Sequence, residues 1–118
     1  MHTTQLLDHF RNPRNAGELG PPAITVEVEN PACGDVMRLS AVAADGRIER
    51  VAYKVRGCTA SIAAGSALTE WMTGKTRSEL AGFDPGVIDR ELGGLPAHSR
   101  HAVALCADAL RLLLQMAP

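Results

Sequence analysis

The sequence predicts an α+β fold in which helices pack on one face of a three-stranded antiparallel sheet, and three observations carry that expectation. Ile24-Thr25-Val26-Glu27-Val28-Glu29 alternates apolar and polar residues, the period of a half-buried strand. Val36 to Val42 and Arg47 to Val55 read as two further strands, joined by Ala44-Asp45-Gly46, whose Asp-Gly step favours a tight hairpin. The remaining periodic segments have helical spacing, one before the strands and the others after them.

From the start of the chain, Thr4 to Phe10 makes a short amphipathic helix with Leu6, Leu7 and Phe10 on its apolar side. It must stop before Asn12-Pro13, because a residue preceding proline avoids helical geometry. Asn15-Ala16-Gly17 and Gly20-Pro21-Pro22 read as loop, and Asn30 to Asp35 breaks the first strand from the second. Thr59 to Met72 is helical, with Gly74 placed to end it. Ser78 to Leu92 holds one or two short helices interrupted by Pro85-Gly86, and Gly93-Gly94 turns the chain. A last helix runs from about Ala97 to Met116, with residues 102, 106, 109, 113 and 116 as an apolar stripe facing the core.

The 118 residues suit a single domain, residues 1–118, with one core. Aromatic residues make up 3% of the chain against 46% apolar overall, so the core must be built from Ala, Val, Leu and Ile. Twelve Lys and Arg face 13 Asp and Glu, and a net charge of -1 offers no general attraction to nucleic acid or acidic lipid. There is neither a secretory signal pattern nor an apolar run near the ~20 residues of a membrane span, so a cytoplasmic protein is expected. Three cysteines cannot all pair internally, and in a reducing compartment they stay free for metal binding, catalysis or burial.

Those readings separate position by position. Cys33 and Asp35 flank Gly34 in a loop between strands, where a thiolate and a carboxylate can converge; the same residues also suit a plain tight turn. Cys58 ends a strand and directly precedes a helix, a location that favours thiolate, although a small buried residue would fit there too. His101 opens the final helix and offers a nitrogen ligand, but His98, His2 and His9 are rivals, and any one of them can be an ordinary surface or core residue. Thr73-Gly74-Lys75-Thr76 imitates the end of a phosphate-binding loop. It leaves a helix and lacks the first glycine, Thr69 standing in its place.

Taken together these segments resemble the scaffold proteins of iron–sulfur cluster assembly, the IscU, SufU and NifU N-terminal family, over nearly the whole chain. Leu7-Asp8-His9-Phe10-Arg11-Asn12-Pro13-Arg14-Asn15-Ala16-Gly17 is similar to the family's opening motif, Asn30-Pro31-Ala32-Cys33-Gly34-Asp35 to its first ligand loop, and Gly57-Cys58 to its second. Leu95, Pro96 and His101 match its third, with 24 residues between Cys33 and Cys58 and 42 between Cys58 and His101. The resemblance implies a three-stranded sheet packed with helices, and a scaffold or carrier in place of a conventional enzyme. Cys33, Asp35, Cys58 and His101 would bind iron or a transient [2Fe–2S] cluster, with Cys33 and Cys58 as possible sulfur acceptors. It further implies a cysteine desulfurase as sulfur donor and apo-proteins as recipients.

The departures narrow that implication. Most relatives carry a third cysteine directly after the histidine, where this chain has Ala102. Cys106 lies one helical turn later, about 6 Å along the axis, on the stripe that runs into the core. The family's Leu-Pro-Pro-Val-Lys chaperone-recognition segment is here Leu95-Pro96-Ala97-His98-Ser99, so a chaperone contact does not carry over. The long insertion of the SufU branch before Leu95 is also missing. Two alternatives follow from the lost sulfur: a zinc-dependent sulfur acceptor of the SufU kind, using the same four residues as an S2NO site, or a non-catalytic regulatory paralogue.

Overall fold

The structure, a computed structural model, describes residues 2–116. Its elements run α1 (Thr4–Arg11), β1 (Ile24–Glu29), β2 (Val36–Ala44), β3 (Arg47–Arg56), α2 (Thr59–Met72), α3 (Arg77–Ala81), α4 (Gly86–Glu91), a 3-10 turn (Ala97–Ser99) and α5 (Arg100–Met116). The strands form one antiparallel sheet in the order β1-β2-β3. Val26 stands opposite Leu39, and Leu39 opposite Tyr53, so the alternation in each strand delivers one continuous apolar face. The outward residues Glu27, Arg38 and Lys54 share a row on the other face, where all three are exposed. The hairpin between β2 and β3 is the two-residue turn Asp45-Gly46, both with positive φ (55° and 76°), as the Asp-Gly step requires.

Two long helices cover the apolar face. α2 packs on β3, and α5 on β1 and β2, with α1 laid against α2. α2 is buried on nearly every side; Ala60, Ala63, Ala64, Ala67 and Leu68 are at most 3% exposed, so small side chains let it lie close to the sheet where bulkier ones could not. Gly65 shows the limit: a Cβ there would fall 2.4 Å from the Tyr53 ring, whose hydroxyl donates to the Ile62 carbonyl (2.7 Å). Thr3 caps α1 by accepting from Leu6 N–H, and Thr76 with Glu79 forms a full capping box on α3.

Several expectations shift. The final helix splits into a 3-10 turn and α5 beginning at Arg100. Residues 102, 106, 109 and 113 of the stripe are buried, but Met116 is 60% exposed because it lies in the last turn, beyond the sheet. In α1, His9 is buried at 4% exposure, whereas Leu7 and Phe10 are only partly covered. The loop after α1 also closes a sheet edge. Tyr53 N–H donates to Asn15 O (3.0 Å) and Gly17 N–H to Tyr53 O (2.9 Å), so this loop covers the free edge of β3. Among the described residues no helix is long and apolar enough to cross a membrane.

Candidate metal centre

The order of the strands brings the ligand loops together. Val36 opens β2 opposite both Glu29, which ends β1, and Arg56, which ends β3. The β1–β2 loop and the β3–α2 connection therefore leave the sheet at the same end, and Asp35 meets Cys58 there although more than twenty residues intervene. Within the first loop, Asn30 N–H donates to Asp35 O (2.9 Å), Gly34 N–H to Asn30 O (2.7 Å), and Ala32 N–H to the Asn30 side chain (2.9 Å). Gly34, at φ 77°, provides the left-handed step that turns Asp35 inward.

Cys58 is the N-cap residue of α2 and uses no side-chain capping bond, leaving its sulfur exposed at the positive end of a 14-residue helix. His101 enters from the first turn of α5. The segment before it is tied down by Asp89, which accepts from Leu95 N–H (3.2 Å) and from the Arg100 guanidinium (2.6 Å). His101 Nδ1 faces the His98 carbonyl at 3.2 Å; a carbonyl only accepts, so Nδ1 carries the proton and donates, and in the neutral ring Nε2 presents its lone pair. That nitrogen lies 3.2 Å from Cys58 Sγ and 3.6 Å from Asp35 Oδ2. Cys33, Asp35 and His101 each offer a ligand atom within 4.8 Å of the others. His98, the sequence rival of His101, contributes only its backbone carbonyl.

Asp35 is 6% exposed, and its surroundings keep it charged. Burial pushes the carboxyl up, but hydrogen bonds from Ser61 Oγ (2.6 Å) and Cys58, its backbone N–H among them (3.4 Å), together with His101 nearby, outweigh it and hold the carboxyl below its usual range. Gly57 is needed for this approach, since a Cβ there would meet Asp35 Cγ at 2.4 Å. Sequence alone gives Gly57 only as the partner of Cys58 in a motif, with no sign of its contact with Asp35, and does not single out Ser61 or Asp89; their signal is position only, a hydroxyl three residues into a helix and an acid ahead of a turn. Ala102 is fully buried next to His101, and Cys106 is fully buried one turn on, its thiol pushed up to about 12 by burial. Cys33, Asp35 and His101 thus form one group, and Cys58 Sγ adjoins it through His101 Nε2 without being a member of that group.

Residues 1–116 match the family model described as the NifU-like N terminal domain. The chain belongs to this family. It is 40% identical over 111 residues to iron-sulfur cluster assembly scaffold protein IscU 1 of Archaeoglobus fulgidus, an alignment covering 94% of this chain and 72% of that one. It is also 40% identical over 114 residues to the iron-sulfur cluster assembly scaffold protein IscU of Azotobacter vinelandii, covering 93% and 88%. Among solved structures, the N-terminal NifU-like protein of Brucella abortus superposes with a TM-score of 0.76 at 19% identity, covering 98% and 95%. A putative SUF-system scaffold of Fervidobacterium islandicum gives 0.77 at 21%, covering 96% of each. At such identities the two structures attest the NifU-like fold, and the sequence relatives attest the family.

Proposed function

We propose that this NifU-like domain is a scaffold on which an iron–sulfur cluster is assembled, with Cys33, Asp35, Cys58 and His101 as the ligands of the iron it carries. The observation that carries the reading is the placement of His101 Nε2 within 3.2 Å of Cys58 Sγ and 3.6 Å of the buried Asp35 carboxylate, from three separate parts of the chain. A scaffold must hold its cargo and then surrender it. Thiolates bind iron strongly, whereas a carboxylate oxygen is the weaker partner in a site that already has two sulfurs, so the mixed set favours release.

The sulfur would come from a persulfide on a donor protein, as the relatives' role in cluster assembly implies, with a cysteine desulfurase the donor we propose. An exposed thiolate of Cys33 or Cys58 attacks the outer sulfur of that persulfide, a new S–S bond forms, and the donor's own thiolate leaves. Recipient apo-proteins take the finished cluster by ligand exchange at the same exposed end of the sheet. Both steps need the sulfurs open to another protein, and Cys33 and Cys58 are exposed while Cys106 is not.

Anaerobic purification followed by iron, zinc and acid-labile sulfide analysis tests the reading. Iron and sulfide together, lost in Cys33→Ala and in Cys58→Ala after the same chelator wash, is the expected result. Metal content equal to wild type in either variant would falsify the ligand assignment. One zinc per chain with no sulfide, and no cluster on reconstitution, would replace the scaffold with the zinc-dependent sulfur acceptor.

A further inference from the structure

A second group of ligand atoms lies near the far end of α2. His9 from α1, Glu70 from α2 and Glu91 from α4 each offer a nitrogen or oxygen within 4.8 Å of the others. Glu70 is twelve residues beyond Cys58, about 18 Å along the helix axis, so this group is separate from the ligand loops. We propose that His9, Glu70 and Glu91 form a second metal site, selective for a divalent transition-metal ion such as Zn2+ or Fe2+.

His9 is the observation that distinguishes this group from an ordinary acidic surface. Its side chain is 6% exposed. Nδ1 is engaged by Ser66 Oγ at 2.8 Å, whereas Nε2 makes no hydrogen bond among the described residues and points toward Glu70 Oε1, 4.0 Å away. An imidazole buried over most of its surface, whose second nitrogen reaches solvent and faces a carboxylate, is an arrangement a metal can complete. Burial, with Arg14 nearby, holds the imidazole's pKa below its ordinary value, so the neutral ligating form prevails near neutral pH.

The surrounding contacts orient the ligands as metal sites require. Ser66 Oγ accepts from Arg14 N–H (2.8 Å) and fixes the ring through Nδ1. The two oxygens of Glu70 point different ways: Oε2 faces Arg14 Nε at 3.7 Å, which leaves Oε1 toward His9. Arg14 is in turn held by Asp8 (2.7 Å), so its charge is already matched. A metal with bonds of about 2.0–2.2 Å needs its ligands about 3.5 Å apart, whereas His9 Nε2 and Glu70 Oε1 lie 4.0 Å apart and the whole group within 4.8 Å. Glu70 and Glu91 are exposed and free to close that gap by rotation. One nitrogen and two oxygens without sulfur suit a borderline ion, and two carboxylates balance its charge.

The test removes the first site so that the second is seen alone. In full-length Cys33→Ala/Cys58→Ala/His101→Gln protein, Zn2+ titrated calorimetrically should bind at one per chain. Co2+ should give ligand-field bands without thiolate charge transfer. Adding Glu70→Gln and Glu91→Gln, both exposed positions that leave the core intact, should weaken binding by at least about tenfold and abolish the Zn2+-dependent rise in melting temperature. Absence of a saturable site in the triple variant, or an affinity unchanged by the two Glu substitutions, overturns the proposal. In wild type, a single zinc lost with Glu70→Gln/Glu91→Gln would support this site and count against the first one, so the two readings fail separately.

Discussion

The Asp35 carboxylate rests against the backbone of Gly57, so close that a Cβ on residue 57 would lie 2.4 Å from Asp35 Cγ. This contact lets one buried carboxylate accept from Cys58 N–H and Ser61 Oγ while its Oδ2 stays 3.6 Å from His101. Gly57→Ala must therefore push Asp35 out of the site or shift the start of α2. The expected outcome is loss of metal retention under chelator challenge and a stability loss of about 1–3 kcal/mol in urea unfolding. Full retention by a folded Gly57→Ala protein would mean that Asp35 is not a ligand.

Gly65 and Tyr53 make the matching test for the core. In a helix interior alanine is ordinarily favoured over glycine by about 1 kcal/mol. Here its Cβ would sit 2.4 Å from Tyr53 Cε2, and the ring is pinned by its hydroxyl on Ile62 O, so the sign reverses. Gly65→Ala is expected to destabilise by about 1–3 kcal/mol, and the loss should largely vanish in a Tyr53→Ala background, where the clash is gone. Equal losses in both backgrounds would refute the contact as the cause.

Cys106 predicts an alkaline limit. Burial raises its thiol from 9.0 to about 12, so the folded chain keeps a proton that the unfolded chain releases near pH 9. The stabilising contribution is complete below pH 9 and is lost as pH climbs from there toward 12, at up to about 1.4 kcal/mol per pH unit. Tyr53, raised from 10.0 to about 12, adds to the slope only above pH 10. Between pH 9 and 10 the decline in unfolding free energy should thus be shallower in Cys106→Ala than in wild type. Identical slopes in that window would show that Cys106 ionises freely in the fold.

What was legible in the sequence follows how local each cause is. The three strands, the Asp45-Gly46 turn and the span of α2 follow from alternation, turn chemistry and helical composition, all readable within a few residues. The meeting of Asp35 with Cys58 needs only the sheet order, since antiparallel neighbours in sequence return to the same end. His101 is different: its approach depends on Asp89 holding Leu95 and Arg100, a long-range tie that no periodicity records. His9 escaped for a similar reason, because Ser66 and Arg14 that cover and orient it come from elsewhere in the chain. Gly57 and Gly65 read as permissive residues in isolation, and only the neighbour each admits shows why a side chain is excluded.

The last prediction concerns the position after His101, where the family resemblance implies a sulfur and this chain has Ala102. Ala102 is fully buried in the first turn of α5, adjacent to His101 and one turn nearer the ligand end than Cys106. Cys106 cannot replace it, since about 6 Å of helical rise exceeds a metal–sulfur bond of about 2.3 Å by more than side-chain rotation recovers. Ala102→Cys adds one sulfur atom to a small side chain, an overpacking of at most about 1–3 kcal/mol, and places a soft ligand where an oxygen or solvent must otherwise serve. The reconstituted [2Fe–2S] cluster should outlive that of wild type when its absorbance is followed during anaerobic chelator challenge. Ala104→Cys, two residues along on the exposed side of the same helix, is the control and should leave the lifetime unchanged. A folded Ala102→Cys protein no better than that control would show that residue 102 does not reach the site or that the chain holds no cluster, and zinc would then be the metal to pursue.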